Sequence, residues 1–207
     1  MPRAGLSTEV VVAEAVRLVD EVGPDRLTLA ALAQRFGVAL PSLYKHVGGL
    51  PDLHGRLAVV AARELGTAVR RAATGKARAD ATAAVARAYR AYAREHPGCY
   101  GYLLRPAVDD EEHALASKEI LHVLYDVLAG YGIESEPDTV DAARFLRAAL
   151  HGWVALETGG GFAMPRSVDR SFDRMVDGVH HALTAWSTGT RVLEGARSTA
   201  PAGTPSP

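Results

Sequence analysis

The sequence has one cysteine, no long apolar run and almost no net charge. Because Cys99 stands alone, a disulfide within the chain is impossible, which favours a reducing compartment. No segment approaches the ~20 unbroken apolar residues of a membrane span, and the N-terminus lacks the basic start and apolar core of a secretory signal. A formal net charge of −1 does not indicate nucleic-acid binding, although a small basic patch can occur in a neutral protein. We therefore expect a cytoplasmic protein with no membrane partner.

The motifs of common enzyme classes are also missing. Gly159-Gly160-Gly161 lacks the strand and the following Lys of a phosphate-binding loop, and it is typical of a helix end. There is no G-x-S-x-G elbow, and no arrangement of Ser, His and Asp singles out a catalytic triad. Glu119 and His122 have a spacing that can hold a metal, but most such pairs are solvated surface side chains. We expect no catalytic residue, no metal and no cofactor.

Hydrophobic periodicity predicts an all-α protein of about nine helices with no strand. The predicted helices span approximately residues 7–22, 29–36, 40–47, 50–73, 77–95, 100–104, 109–131, 137–158 and 168–186. The last twenty or so residues consist mainly of Gly, Ser, Thr, Ala and Pro and have too little apolar surface to fold. The predicted organisation is a three-helix head at residues 1–49, a helical body at 50–187 and a disordered tail at 188–207.

The head contains the pattern of a helix-turn-helix. Thr28 can cap a short amphipathic helix, and Gly37 allows the sharp turn that follows it. In the second helix we expect Leu40, Leu43 and Val47 to face inward, which turns the intervening side chains toward solvent or DNA. The candidate DNA-binding residues are Thr28, Leu40, Pro41, Ser42, Tyr44, Lys45 and His46.

These motifs resemble one family of transcriptional regulators, the tetracycline-repressor-like (TetR) family. TLAALAQRFGV followed by LYKHV carries the resemblance in the head. AYRAYAREHPGCYGYLL and LHGWVALETGGGFAMPRSVDRSFDRMVDGVHHAL resemble the ligand-binding domain of a W-H-G subgroup. Ala39 replaces the Ser or Thr cap that is usual in the family, and Leu50 replaces a Lys that often contacts phosphate. We therefore expect Lys45, the Tyr44 hydroxyl and the backbone amides at Leu50 to contribute more of the DNA anchoring.

The resemblance implies a regulator, usually a repressor, that binds a palindromic operator as a homodimer and is released by a small-molecule effector. It also implies that the last two long helices pair with those of the partner as a four-helix bundle. The sequence supports this bundle, because the helix at 137–158 is apolar nearly all round and needs cover on two sides. The candidate dimer-interface residues are Leu150, Phe172, Val179 and Leu183.

Aromatic side chains with polar tips are suited to a pocket that is mostly apolar but must orient a ligand. We assign Tyr89, Tyr92, Tyr125 and Trp153 to a ligand pocket between the helices at 77–95, 109–131 and 137–158, while ordinary core packing is the alternative for each. Because these residues include no Lys or Arg, we expect a neutral or weakly polar effector.

Two other kinds of function stay open at this point. A helix-turn-helix regulator can be controlled by a protein partner, or by redox chemistry at Cys99, whose place near a helix start can lower a thiol pKa. A helical enzyme is the remaining alternative and has no motif in its favour.

Overall fold

The computed structural model describes residues 5–104 and 111–186, and every regular element in these ranges is helical. The α-helices are α1 (Thr8–Val22), α2 (Leu29–Phe36), α3 (Leu50–Ala73), α4 (Arg78–Glu95), α5 (Pro97–Tyr100), α6 (Glu111–Ala129), α7 (Asp138–Thr158) and α8 (Val168–Trp186). Shorter 3-10 helices lie at Pro24–Arg26, Leu40–Lys45 and Gly101–Leu104. The all-α prediction is confirmed, but the element predicted as a helix at 40–47 is a 3-10 helix. The predicted helix start at residue 109 and the tail at 188–207 lie outside the described residues.

Local chemistry explains where the first helices begin and end. The hydroxyl of Ser7 accepts the backbone N–H of Val10 at 3.3 Å, so Ser7 caps α1. Gly23 ends α1 at a φ of 85°, a conformation that a residue with a Cβ rarely adopts. The helix α4 ends at Glu95, with His96 as its C-cap. The next residue, Pro97, has no N–H with which to continue the helix.

The buried side chains form two hydrophobic clusters. One comprises α1, α2, the Leu40–Lys45 helix and the first half of α3, together with Cys99 and Tyr102 from the body. The other comprises the second half of α3 with α4, α6, α7 and α8. The helix α3 contributes Leu57 to the first cluster and Leu65 to the second, so both clusters share it. The domain boundary predicted at residue 50 falls at the start of this shared helix.

Polar contacts join the head to the body. The carboxylate of Asp20 in α1 accepts the backbone N–H of Cys99 at 2.9 Å and lies 2.9 Å from Nδ1 of His96. The hydroxyl of Tyr102 lies 2.7 Å from Nδ1 of His54 at the start of α3. The segment at residues 96–104 is therefore attached to the head at two points, although it follows α4 in the chain.

Arg90 joins three helices of the body. Its Nε donates to the Glu157 carboxylate at 2.7 Å, and its guanidinium also lies 2.7 Å from Asp169. The guanidinium carbon is 4.6 Å from the centre of the Phe172 ring. These contacts connect α4 to the end of α7 and to the start of α8, and they leave the Arg90 side chain only 11% exposed.

Candidate DNA-binding and ligand-binding sites

The helix-turn-helix geometry follows from a cap and a left-handed glycine. The Thr28 hydroxyl accepts the backbone N–H of Ala31 at 3.1 Å, which fixes the start of α2. Gly37 ends α2 at φ 64° and ψ 33°, and the next N–H, from Val38, bonds to the carbonyl of Ala33 at 3.0 Å. This turn positions the Leu40–Lys45 helix beside α2.

One side of the Leu40–Lys45 helix packs against the head cluster, and the other side faces solvent. Leu43 and Val47 are buried in the head cluster, as expected. Leu40 is 38% exposed, so its predicted inward placement is wrong. It is the first residue of a six-residue helix, and only the following turn, which carries Leu43, reaches the core. Tyr44 is 58% exposed and Lys45 beside it is also exposed.

The other residues of the candidate DNA-binding set vary in exposure. Thr28 and Pro41 are exposed, whereas Ser42 and His46 are half-buried. Ala39 provides no side-chain cap, because alanine has no polar side-chain atom. Pro41 lies in the first turn of the helix, where a backbone N–H would have no helical partner. The outward-facing surface therefore consists chiefly of Leu40, Pro41, Tyr44 and Lys45.

The first helix of the chain holds this surface in place. The hydroxyl of Thr8 in α1 donates to the backbone carbonyl of His46 at 2.8 Å. The backbone N–H of Gly48 then donates to Asp52 in α3 at 2.8 Å. These two contacts fix the chain immediately after Lys45, so its ammonium is presented by a constrained backbone.

The other described basic side chains around the head are largely paired. Arg35 contacts Glu14 and Glu21, each at 2.6 Å, and Arg56 contacts Asp52 at 3.1 Å. Within the described residues, Lys45 lies within ion-pair distance of no carboxylate. The electrostatics therefore leave Lys45 available for an external anion such as a phosphate.

A cavity of about 410 Å³ lies in the body between α3, α4, α6 and α7. Its apolar lining includes Leu65, Val69, Leu103, Ile120, Leu124 and Leu150. Its polar lining includes Tyr89, His113, Ser117, Lys118 and Arg147. The volume falls within the roughly 300–1,000 Å³ of typical small-molecule sites. The cavity contacts the three helices predicted to enclose a pocket and, in addition, α3.

Of the four aromatic residues assigned to the pocket, Tyr89 alone lines this cavity. Tyr92 donates its hydroxyl to Glu64 at 3.1 Å, outside the cavity. Tyr125 is half-buried against the body core. Trp153 lines a separate cavity of about 350 Å³ near the end of α7, where its ring centre lies 4.6 Å from that of Phe162. The four side chains therefore do not converge on one site.

Tyr89 belongs to a chain of polar groups inside the body. Its hydroxyl lies 3.2 Å from that of Tyr100, which in turn lies 2.7 Å from Nδ1 of His151. Burial lowers the pKa of His151, and the positive charge of Arg147 lowers it further, so the imidazole is neutral at neutral pH. Burial raises the pKa of Tyr89 and of Tyr100, so both phenols remain protonated.

The residues assigned to the dimer interface lie inside the single chain. Leu150, Phe172, Val179 and Leu183 are each at most 4% exposed in one protomer. They pack into the body core, where Leu150 also lines the cavity. From the sequence we assign this apolar face to the dimer interface, but a single protomer already buries it. Its periodicity correctly indicates that the face is covered, but α4 and α7 of the same chain cover it.

Cys99 has the surroundings of an inert thiol. It is fully buried in the head cluster. Burial raises its pKa, and the nearby carboxylates of Asp20 and Glu64 raise it further, so the reactive thiolate is disfavoured.

No described helix is long and apolar enough to span a membrane. In the described ranges, no three His, Cys, Asp or Glu side chains are grouped so that they could hold a metal.

Comparison with known proteins identifies the family. Residues 82–179 match the family described as "Tetracyclin repressor-like, C-terminal domain". The uncharacterized HTH-type transcriptional regulator Rv0681 of Mycobacterium tuberculosis is 38% identical over 159 residues, which are 76% of this chain and 72% of that protein. The chain belongs to the TetR family of transcriptional regulators.

Two further similarities agree with this TetR assignment. The uncharacterized HTH-type transcriptional regulator YobS of Bacillus subtilis is 33% identical over 155 residues, 75% of this chain and 81% of that protein. The Streptomyces coelicolor TetR family protein ActR, solved in complex with actinorhodin, has a TM-score of 0.66 and 16% identity, covering 90% of this chain and all of ActR. At that identity the likeness to ActR shows the fold alone.

Sequence reasoning missed the two cationic residues of the cavity in this TetR-family body. Arg147 had a detectable signal, since it is the one charged residue in the run FLRAALHGWVAL of α7. Lys118 had none, because a Lys beside Glu119 is ordinary on an exposed helical face. The expectation of a neutral effector rested on Tyr89, Tyr92, Tyr125 and Trp153, which do not line the cavity together.

Proposed function

We propose that this TetR-family regulator is a ligand-responsive repressor that binds a palindromic operator as a homodimer. The observation that carries the proposal is the exposed surface of Tyr44 and Lys45 on a short helix fixed by the Gly37 turn and by the Thr8 contact to the His46 carbonyl. Two copies of this helix in successive major grooves, ~34 Å apart, would read an inverted repeat. Since its target is the chromosome, we place the protein in the cytoplasm.

Ligand control is supported by a residue that faces both halves of the molecule. Leu103 lines the cavity and packs against both the head cluster and the body cluster. Its neighbour Tyr102 is buried in the head cluster and contacts His54. A ligand that displaces Leu103 would therefore act on the segment that holds the head. Such a ligand shifts the equilibrium only if it prefers one head arrangement over the other. That ActR was solved with actinorhodin supports a small molecule as the effector class.

The face available for dimerisation is the part of α7 and α8 that the body core leaves at least partly uncovered. On α7 it presents Gly152 and Leu156, and Leu156 is 53% exposed. On α8 it presents the exposed Gly178, flanked by the half-buried Met175 and Ala182. A Cβ added at Gly152 or Gly178 would meet nothing within 4 Å. Small side chains beside exposed apolar ones allow close helix approach, which supports a bundle formed by α7 and α8 of two chains.

The structure does not support redox control, one of the alternatives that the sequence left open. A buried thiol of raised pKa is a poor redox sensor, because the thiolate is the reactive form. Control by a protein partner has no specific observation in its favour.

The test is binding to the DNA immediately upstream of the coding sequence, at the inverted repeat closest to the start codon. Fluorescence anisotropy should show saturable binding with an even number of chains for each repeat. A matched fragment with one half-site scrambled should bind at least ~10³-fold more weakly at physiological salt. Equal affinity for the intact and scrambled fragments would show that the protein is not a repressor of its own upstream region. Light scattering on the free protein should give a dimer.

A further inference from the structure

The body cavity combines an apolar interior with two cationic side chains. Lys118 on α6 and Arg147 on α7 both line it, and both are exposed, so they lie where the cavity meets solvent. Leu65, Val69, Leu124 and Leu150 line the same cavity and are buried. The site therefore has a charged mouth and a largely apolar interior, in which Tyr89 and His113 are the buried polar side chains.

These two cations differ from the nearby arginines of α3 in having no acidic partner in the part of the chain that the structure describes. Across α3 and α6, Arg63 pairs with Glu112 at 2.6 Å and Arg70 with Glu119 at 3.1 Å. The carboxylate next to Lys118 in sequence is therefore already engaged by Arg70. Within the described residues, neither Lys118 nor Arg147 has a carboxylate in ion-pair distance.

The described lining of the cavity also contains no Asp or Glu. Burial is the main cause that lowers the pKa of His151 beside the cavity, and the positive charge of Arg147 lowers it further. A cationic ligand would be repelled by Lys118 and Arg147, and a neutral ligand would gain no charge–charge attraction from them.

We propose that the cavity binds a small apolar molecule carrying a single carboxylate-like anionic group, which Lys118 and Arg147 hold at the mouth. This inference rests on the proposed function, since it takes the cavity to be the effector site. Hydrogen bonds from cationic donors to a carboxylate are stronger than those between neutral groups, and a guanidinium can make two of them in parallel. The apolar remainder of the ligand lies against the leucines, where its transfer from water is favourable. A molecule with several charges does not suit this interior, because most of its charges would lose water without gaining a partner. This replaces the neutral effector expected from the sequence.

The experiment compares ligands that differ only in the charged group, using the full chain without DNA. The probes are decanoate, 1-decanol and decylammonium, each below its critical micelle concentration, and 2-naphthoate against 2-naphthol as a second scaffold. Affinities are measured by isothermal titration calorimetry at two salt concentrations. In at least one scaffold the carboxylate should bind about tenfold more tightly than the matched alcohol, and this advantage should shrink at high salt.

Three variants locate the effect. Arg147→Gln together with Lys118→Gln should remove the preference for the carboxylate while leaving the affinity for the alcohol within about twofold. Arg144→Gln is the matched control, because Arg144 lies one turn away on the same helix but does not line the cavity, and it should preserve the preference. Ser117→Phe fills the cavity from a half-buried position and should abolish binding of both compounds. All four positions are outside the buried core, so the variants should fold.

The inference is overturned if the carboxylate has no advantage in either scaffold, if the preference persists without both cations, or if Ser117→Phe leaves binding unchanged. It is also overturned if none of the probes binds. Operator binding by the ligand-free protein is measured separately. Absence of an anionic preference with intact operator binding would refute the ligand class alone, whereas failure of operator binding would refute the proposed function.

Discussion

Gly98 lies against the backbone of Val19, so close that a Cβ at residue 98 would stand 2.0 Å from the Val19 carbonyl oxygen. This contact brings the short helix α5 onto α1, the first helix of the head. Asp20, the next residue of α1, accepts the backbone N–H of Cys99 in the same region. At this point the junction between head and body is a contact between two backbones, and only glycine leaves room for it.

Gly98→Ala should separate this junction, because the clash is with backbone atoms that no side-chain rotation can relieve. We expect a decrease of roughly 1–3 kcal/mol in the free energy of unfolding, measured by urea denaturation, together with weaker operator binding. Gly101→Ala is the control, since its added Cβ would contact the Pro24 ring at 3.4 Å, an ordinary distance. If both variants behave alike, the close approach at residue 98 does not determine the junction.

Lys45→Ala should weaken binding to every DNA sequence, because its ammonium is exposed, has no acidic partner among the described residues, and is expected to bind a phosphate. The slope of log affinity against log salt should become shallower by about one unit if Lys45 neutralises a single phosphate. Fluorescence anisotropy at several salt concentrations measures both quantities. Lys76→Ala, in the turn before α4, is the control and should change neither. An unchanged slope for Lys45→Ala would place the DNA interface elsewhere.

A glutamate introduced at Gly178 of α8 and one introduced at the adjacent Val179 should have different effects on folding and dimerisation. Gly178→Glu adds a side chain in open space, so the chain should fold but the α7–α8 bundle should separate into monomers with much weaker operator binding. Val179→Glu places a carboxylate in the body core, where Val179 is 4% exposed, and should prevent folding. Circular dichroism and light scattering distinguish the two results. A dimeric Gly178→Glu protein would mean that another face forms the interface.

The Arg90–Glu157 contact should make stability depend on pH in the acid range. The hydrogen bond from Arg90 lowers the pKa of the Glu157 carboxyl below its ordinary value of 4.5. Its contribution is therefore present above the pKa of the unfolded chain and disappears as the pH falls through the lower pKa of the folded state. Glu157→Gln should be less stable than wild type at neutral pH, with a difference that narrows below about pH 4.5.

Urea denaturation across this pH range measures the effect. Glu119→Gln provides the comparison, because its contact to Arg70 is between two side chains that are each more than half exposed, and it should change stability little at any pH. A difference between Glu157→Gln and wild type that stays constant from neutral to acid pH would contradict the assignment.

Cys99 should react with a thiol-directed dye only when the chain unfolds. The side chain is fully buried and its pKa is raised, so both access and the thiolate are lacking in the folded protein. Absorbance after mixing with the dye, with and without urea, measures this. Rapid modification of the folded protein would restore redox control as a candidate mechanism.

The sequence by itself determined the features that depend on neighbouring residues. The Thr28 cap, the Gly37 turn and the end of a helix at residue 95 were each predicted, because each depends on bonds or dihedral angles within a few positions. The outward position of Tyr44 and Lys45 follows from the same local geometry, together with the buried anchors Leu43 and Val47.

Only the tertiary structure decided which surfaces meet. The apolar residues of α8 have the same spacing whether α4 of the same chain or a partner subunit covers them. The spacing therefore could not show that Phe172 and Val179 pack inside their own chain. Lys118 and Arg147 are 29 positions apart on different helices, and nothing in their local sequence indicates that both line one cavity. Helical periodicity indicates which face of a helix is buried. Which segment covers that face depends on the packing of residues distant in the sequence, and no local pattern specifies it.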